Sequence, residues 1–128
     1  MKDFCKQVFP DLRENYDKAG WFEGRAILAP TNKEVDSINE LMQSSLPGDR
    51  VKLSSADTLE NPADAFRFNT EYLNTLKPNG FPQHTLELMP GMPLMLMRNI
   101  NPRKGLCNGT CLMFQRAVNN KLLECKVV

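Results

Sequence analysis

The sequence lacks most features of secreted, membrane-spanning or strongly charged proteins. Its 128 residues contain no apolar run near the ~20 residues that a membrane-spanning helix needs. The N-terminus, MKDFCKQVFPDLRENYDKAGWF, is charged throughout and has no apolar centre of the signal-peptide kind. The formal net charge is only +1, so no global field attracts a polyanion. We expect an intracellular or nuclear protein with no membrane partner, forming one domain or part of a larger one.

Catalytic signatures are also missing. The chain has no phosphate-binding G-x-x-x-x-G-K-[ST], no G-x-G-x-x-G and no G-x-S-x-G. His84 is the single histidine and falls in a predicted loop, where we interpret it as a surface residue. One isolated histidine poorly supports a Ser-His or Cys-His nucleophile. The sequence therefore predicts no self-contained catalytic site and no catalytic residue.

Four cysteines are the candidate metal ligands. Cys107 and Cys111 are spaced C-x3-C, and neither Cys5 nor Cys125 forms a second close pair. Structural zinc sites usually use C-x2-C pairs. We predict free thiols in a reducing compartment and no metal site. A thiol or zinc protein stays an alternative, which metal analysis of the purified chain would test.

The clearest local unit is GRAILAPTNKEVDSINELMQSSLPGD. Its apolar run Ala26–Ala29 predicts a short buried strand, which Pro30 ends. Thr31 and Glu34 fit a helix-capping box. The helix then has one apolar face and stops at Pro47-Gly48; that face comprises Val35, Ile38, Leu41, Met42 and Leu46. This pattern predicts the opening strand and helix of a βαβ unit.

Helices and loops are predicted around this unit. The first 22 residues predict a helical segment that is interrupted by Pro10 and packs on a missing or neighbouring domain. Val51 and Leu53 fit a second strand. Residues 57–68 are predicted as a loop, and Pro78-Asn79-Gly80 as a turn. Residues 70–76 are predicted as one or two helical turns, with Tyr72, Leu73 and Leu76 facing inward.

From Thr85 the apolar period changes to two, which predicts a small antiparallel β unit. The expected strands cover residues 85–88, 94–97, 110–118 and 122–128, with Asn119-Asn120 as a two-residue turn. Leu94 and Leu96 occupy one face, and we interpret Met95 and Met97 as packing on the other. Because the sequence stops on a strand, we expect a fragment or a chain that needs a partner domain.

Two local features suit an anionic ligand. Thr31 and Asn32 follow the predicted strand, where a helix N-terminus offers free backbone N–H groups to a phosphate; alternatively they only cap the helix. Arg98, Arg103 and Lys104 lie within seven residues of one another and can contact a nucleic-acid backbone. The alternative there is a solvated hairpin loop.

The order and spacing of two segments resemble the petite-integration-frequency (PIF) family of ATP-dependent DNA helicases. The segments are GRAILAPTNKEVDSINELMQSSLPGD and FNTEYLNTLKPNGFPQHTLELMPGMPLMLMRNINPRKGLCNGT. They are most similar to the forms found in large eukaryotic expansions and in Helitron-type transposons. The resemblance covers roughly residues 24–114.

The resemblance implies an α+β fold from a helicase fragment. Residues 1–22 would form an N-terminal helical segment, and residues 23–69 part of the second RecA-like motor domain with helicase motif IV. Residues 70–128 would form its antiparallel SH3-like β insertion. The first RecA-like domain and the remainder of the second would be the missing partners. They would hold ATP and magnesium, so this chain alone would bind neither and would not hydrolyse ATP.

The resemblance also implies a role in DNA unwinding, with contact to single-stranded DNA and interdomain motion, in repair, recombination or telomere metabolism. The residues expected to face the DNA are Thr31, Asn32, Arg98, Asn99, Lys104 and Asn108. Asn108-Gly109 is also expected to shape a turn.

Two departures from the family pattern remove positive charge. Met89 stands where lysine is common, and Cys111 where arginine is usual. Both are expected near the DNA surface, so both would weaken DNA affinity. The alternative function is a non-enzymatic binding module or a degenerate transposon-derived remnant.

Overall fold

The computed structural model describes residues 1–77 and 81–128, and the predicted turn Pro78-Asn79-Gly80 lies outside them. The helices are α1 (Lys2–Val8), α2 (Leu12–Asn15), α3 (Asn32–Ser45) and α4 (Thr70–Thr75), with short 3₁₀ helices at Pro62–Phe66 and Pro102–Lys104. The strands are β1 (Val51–Ser54), β2 (Thr85–Leu88), β3 (Pro93–Met95), β4 (Cys111–Ala117) and β5 (Leu123–Val127). Helices combined with antiparallel sheets confirm the predicted α+β class.

The five strands form two separate antiparallel sheets in the described ranges. β1 pairs with β2, with Val51 opposite Leu88 and Ser54 opposite Thr85. The second sheet has the order β3-β4-β5, and its β4–β5 pairing shifts register between Phe114 and Arg116. The predicted strands therefore form, but they divide between two sheets.

Helix α3 begins and ends as the sequence predicts. The Thr31 hydroxyl accepts the Glu34 backbone N–H at 3.3 Å and donates to Glu34 Oε2 at 2.8 Å, which satisfies one free N–H of the first turn. Pro47 and Gly48 follow the C-cap residue Leu46. The predicted apolar face is only half covered, because no residue within the helix is buried.

The predicted buried strand at Ala26–Ala29 is wrong in this structure. Residues 25–29 belong to no strand, and Leu28 is 94% exposed. A buried strand needs hydrogen-bonded neighbours on both sides and helices on both faces. No strand in the described ranges pairs with this segment, so Leu28 is left at the surface while Ile27 and Ala29 are only half-buried.

The N-terminal segment packs inside this chain. Leu12 joins Leu46 and Met89 in a buried cluster, and this cluster is surrounded by Tyr16, Trp21, Phe22, Met42 and Met92. Pro10 lies between α1 and α2, as expected from its missing N–H. The segment thus connects α3 to the turn between β2 and β3.

Several local predictions need correction. Tyr72 is 47% exposed on α4, although an inward position was expected. Met95 and Met97 are 59% and 43% exposed, so they alternate with the half-buried Leu94 and Leu96 but do not pack. The predicted loop at residues 57–68 contains the 3₁₀ helix Pro62–Phe66.

The β4–β5 connection also differs from the predicted two-residue turn. The last paired residues are Ala117 and Leu123, so five residues form the connection. The Asn119 side chain accepts the backbone N–H groups of Lys121 and Leu122 at 2.8 and 3.0 Å. These two hydrogen bonds to the Asn119 side chain close the loop without a positive φ at either asparagine.

A polar clasp joins α3 to β2. The Arg50 guanidinium donates to Glu40 and to Glu87, both at 2.7 Å, and also reaches Ser44 Oγ at 3.2 Å. Gln43 Nε2 donates to the Glu87 carbonyl at 3.1 Å. The hydrogen bond from Arg50 holds the pKa of Glu40 below its ordinary value of 4.5.

This clasp predicts an acid-sensitive contribution to stability. Because the folded-state pKa of Glu40 is lowered, its contribution is complete above pH 4.5 and is lost as pH falls through the lowered value. The difference in unfolding free energy between wild type and Arg50→Met should therefore shrink below pH 4.5. Urea unfolding at low salt across this range measures it.

Arg116→Met is the matched control for that experiment. Arg116 pairs with Glu124 at 2.6 Å, but its side chain is 72% exposed against 36% for Arg50. Exposed pairs contribute little, so Arg116→Met should change stability less. Equal pH profiles for wild type and Arg50→Met would contradict the role assigned to the clasp.

None of the helices within the two described ranges combines the length and apolar character required to cross a lipid bilayer.

Candidate nucleic-acid interface

The predicted cationic residues lie on one folded loop, residues 98–109, which we call the basic loop. It connects β3 to β4, and two backbone bonds close its base. Leu96 N–H donates to the Thr110 carbonyl at 2.9 Å, and Gly109 N–H donates to the Leu96 carbonyl at 2.8 Å. These bonds continue the β3–β4 pairing beyond the strand ends, so the loop leaves the sheet in a defined direction.

Side chains hold the interior of the basic loop. Asn99 Oδ1 accepts the Asn108 backbone N–H at 2.8 Å. The Thr110 hydroxyl accepts the Cys107 N–H at 3.2 Å and donates to the Gly105 carbonyl at 2.9 Å. These hydrogen bonds hold the backbone of the loop in one conformation, and this backbone is the frame that carries the cationic side chains.

Arg98, Arg103 and Lys104 are all exposed on this frame. Arg103 and Lys104 occupy the last turn of a 3₁₀ helix, and Gly105 then turns the chain with φ +78°. No aspartate or glutamate occurs in residues 98–109, and no ion pair in the described ranges uses these three cations. The loop therefore presents positive charge that no local carboxylate neutralises.

The six predicted contact residues fall into two groups. Asn99 and Asn108 are hydrogen-bonded to each other within the basic loop, which also carries Arg98 and Lys104. Thr31 and Asn32 are at the exposed start of α3, where Thr31 caps the helix. Within the described residues no hydrogen bond connects the second group to the first. A DNA-contact role for any of the six stays a prediction.

Met89 does not lie on a DNA-facing surface. Its side chain is 3% exposed and belongs to the buried cluster with Leu12 and Leu46. Met89 is part of the hydrophobic core, so the prediction that it removes positive charge from a DNA-facing surface is wrong. Cys111 is exposed at the first position of β4, immediately after the basic loop.

Two of the four cysteines lie at the basic loop, Cys107 within it and Cys111 shortly after it, whereas Cys5 and Cys125 are distant from it in the sequence. All four are free thiols, and Cys5 is buried. Burial raises the pKa of the Cys125 thiol, which disfavours its thiolate. The residues that the structure describes contain no group of three or more potential metal ligands from His, Cys, Asp and Glu.

Sequence reasoning missed a polar cluster at the end of the β1–β2 sheet. Ser55 Oγ lies 2.8 Å from Asp57 Oδ2 and 2.7 Å from His84 Nδ1. His84 Nδ1 is 3.3 Å from Asp57 Oδ2, and its side chain is only 25% exposed. His84 is thus half-buried, and not the surface residue that its loop position suggested.

The strand register brings this cluster together. Ser54 is opposite Thr85, so Ser55 and His84 are the next pair outward, and Ser55 N–H donates to the His84 carbonyl at 2.7 Å. The two residues are 29 positions apart in sequence. Only a prediction that β1 pairs with β2 in this register could have found the cluster.

The comparison with known families decides what this β unit is. Residues 71–116 match the family model described as DNA helicase Pif1, 2B domain. These residues are similar to a Pif1-type 2B domain. The matched residues include most of α4, strands β2 and β3, the basic loop and nearly all of β4. The predicted resemblance to the PIF helicase family is confirmed over this stretch.

Residues 1–70 and 117–128 lie outside the matched part of the 2B domain. No protein among the curated sequences matches the chain. The domain boundaries at residues 23 and 70 therefore stay predictions. Residues 71–116 are thus similar to a domain of a DNA helicase.

Proposed function

We propose that the chain contributes single-stranded DNA contact and interdomain motion to an ATP-dependent DNA helicase. The observation that carries the proposal is a basic loop, with unneutralised cations, inside the residues that match the Pif1 2B domain. DNA unwinding in nuclear repair, recombination or telomere metabolism is the setting that the family resemblance implies.

The chemistry of the basic loop suits a nucleic-acid backbone. Arg98, Arg103 and Lys104 offer charge to phosphates, and the backbone and amide groups nearby offer hydrogen bonds. Phosphate contacts of this kind do not depend on base sequence and release counterions, so binding weakens as salt rises. A helicase that moves along a strand needs contacts of this sequence-independent type.

The N-terminal half offers a place for the proposed partner domains. The apolar run Ala26–Ala29 pairs with no strand in the described ranges and precedes a capped helix. We propose that it joins a sheet built by the remainder of the second RecA-like domain. That domain would face the first RecA-like domain. ATP and magnesium would bind in those partners, since this sequence has no G-x-x-x-x-G-K-[ST]. The polar clasp formed by Arg50, Glu40 and Glu87 would then transmit the motion of these partner domains from α3 to β2.

Removing two cations of the basic loop should weaken DNA binding. For Arg98→Ala with Lys104→Ala we expect roughly a tenfold loss of affinity for an unstructured single strand at low salt. The slope of log affinity against log salt should also fall by about 1.4, because each lost phosphate contact on a single strand removes about 0.7. Fluorescence anisotropy with a labelled oligonucleotide over a salt series measures both.

Lys2→Ala with Lys6→Ala is the matched control, since it removes the same charge from exposed positions on α1. It should leave the salt slope within error of wild type. If both double variants behave alike, the basic loop has no special role. If the wild type shows no salt-dependent binding, the DNA proposal fails, and the alternative of a non-enzymatic module or a transposon-derived remnant is favoured.

A further inference from the structure

A cavity of about 430 Å³ lies between α4 and the β1–β2 sheet. Its walls come from both sheet strands, from α4 and from the segment before β2, and they include Leu53, Leu73, Leu76, Phe81 and Leu86. Its polar lining residues are Ser54, Gln83 and the hydrogen-bonded cluster of Ser55, Asp57 and His84, which we call its polar part. A mostly apolar concave site with a few convergent polar groups is the usual form of a small-molecule site.

The hydrogen bonds within the polar part determine what it can still accept. Ser55 Oγ donates its single proton to Asp57 Oδ2, so its bond with His84 requires the proton on His84 Nδ1. The 3.3 Å separation of Nδ1 from Asp57 Oδ2 fits the same tautomer. In the neutral imidazole, His84 Nε2 is then an acceptor.

Two acceptors consequently have no protein donor among the described residues: His84 Nε2 and Asp57 Oδ1. Both belong to groups that line the cavity. Their complement is a ligand that carries N–H donors. A phosphate does not fit, because the Asp57 carboxylate repels it. An exocyclic amino group on a flat heterocycle fits both acceptors.

The apolar walls suit the faces of such a heterocycle. Phe81 is 72% exposed, and Leu76 and Leu86 are 42% and 40% exposed at the cavity. Exposed aromatic side chains are common stacking platforms for unpaired bases. A base inserted here would cover apolar surface that the described residues leave in water.

We propose that this cavity binds one nucleobase carrying an exocyclic amino group: adenine, cytosine or guanine in preference to thymine. The inference rests on the proposed function, because a bound single strand would supply the unpaired base. It adds base discrimination at a site separate in sequence from the basic loop. Thymine is disfavoured because it presents carbonyl oxygens where the other bases present amino groups.

The single histidine makes a direct test possible, since its imidazole proton signals are unambiguous in NMR spectra. We would titrate the full chain, at constant pH, with deoxycytidine, deoxyadenosine and thymidine. Single nucleosides bind weakly, so concentrations of about 1–10 mM are appropriate. Deoxycytidine and deoxyadenosine should shift the His84 signals saturably. Thymidine should need a concentration at least about tenfold higher to give the same shift.

Variants separate the parts of this proposal. Asp57→Asn has the same shape but replaces the carboxylate with an amide, and it should abolish the preference for amino-bearing nucleosides. Phe81→Ala should weaken binding of deoxycytidine and deoxyadenosine by several-fold. Phe66→Ala, at a 98% exposed position outside the cavity, is the matched control and should have no effect. Circular dichroism verifies that each variant is folded.

Arg98→Ala with Lys104→Ala distinguishes this inference from the proposed function. It should weaken oligonucleotide binding and leave the nucleoside shifts unchanged. Absence of a saturable shift in wild type, an equal response to thymidine, or an unchanged preference in Asp57→Asn would overturn the base site. Salt-dependent oligonucleotide binding would still stand in that case. Nucleoside shifts without oligonucleotide binding would instead overturn the helicase-type DNA contact.

Discussion

Gly91→Ala should lower the free energy of unfolding by about 2–5 kcal/mol. Gly91 has φ +85°, which costs a residue with a side chain roughly 1–2 kcal/mol. A Cβ there would lie 2.7 Å from Cε2 of the Tyr16 ring and closer still to Cδ2. Crowding of this kind costs roughly 1–3 kcal/mol more. Urea unfolding followed by the fluorescence of Trp21 measures the change.

Two further variants divide this effect into its causes. Gly24 has φ +71°, and no atom lies within 4 Å of the position that a Cβ would take there, so Gly24→Ala should show the backbone cost alone. Adding Tyr16→Ala to Gly91→Ala should remove the crowding, which a double-mutant cycle detects as coupling. If Gly91→Ala is no worse than Gly24→Ala, the packing of the N-terminal segment against this turn is wrong.

Phe114→Ala should lower the free energy of unfolding by about 3–5 kcal/mol, as large-to-small changes in a core do. Phe114 is 0% exposed and is the largest fully buried side chain in the described ranges. Its carbonyl accepts the Gly91 N–H at 2.7 Å, and its N–H donates to the Met92 carbonyl at 3.0 Å. The cavity would therefore form beside the turn that connects the two sheets.

Phe66→Ala controls for the chemistry of that substitution. Phe66 is 98% exposed, so its truncation should change stability by less than about 0.5 kcal/mol. Phe114→Leu should cost less than Phe114→Ala because it retains most of the buried volume. Comparable losses in Phe66→Ala and Phe114→Ala would contradict the burial pattern of β4.

Local patterns predicted much of the secondary structure. The Thr31 cap, the Pro47-Gly48 stop and the change to period two at Thr85 depend on neighbours within a few residues. Capping hydrogen bonds and side-chain alternation act over the same range, so these features can be read directly from the sequence. The residues of the basic loop were found in the same way.

Burial could not be predicted in the same manner. Ala26–Ala29 has the composition of a buried strand, yet Leu28 is 94% exposed because no described strand pairs with the segment. Met89 was expected at a charged surface and is instead 3% exposed in the core. Burial depends on which distant segments pack together, and a local pattern contains no information on that.

The sequence by itself determined the capped helix, the alternating strands, the cation-rich loop and the resemblance to PIF helicases. Only the tertiary structure decided that the strands form two sheets, that the N-terminal segment packs against Gly91, and that His84 meets Ser55 and Asp57. The physical reason is register. A shift of one residue between β1 and β2 would move Ser55 away from His84 and reverse every side chain of the strand, and only packing selects among such registers.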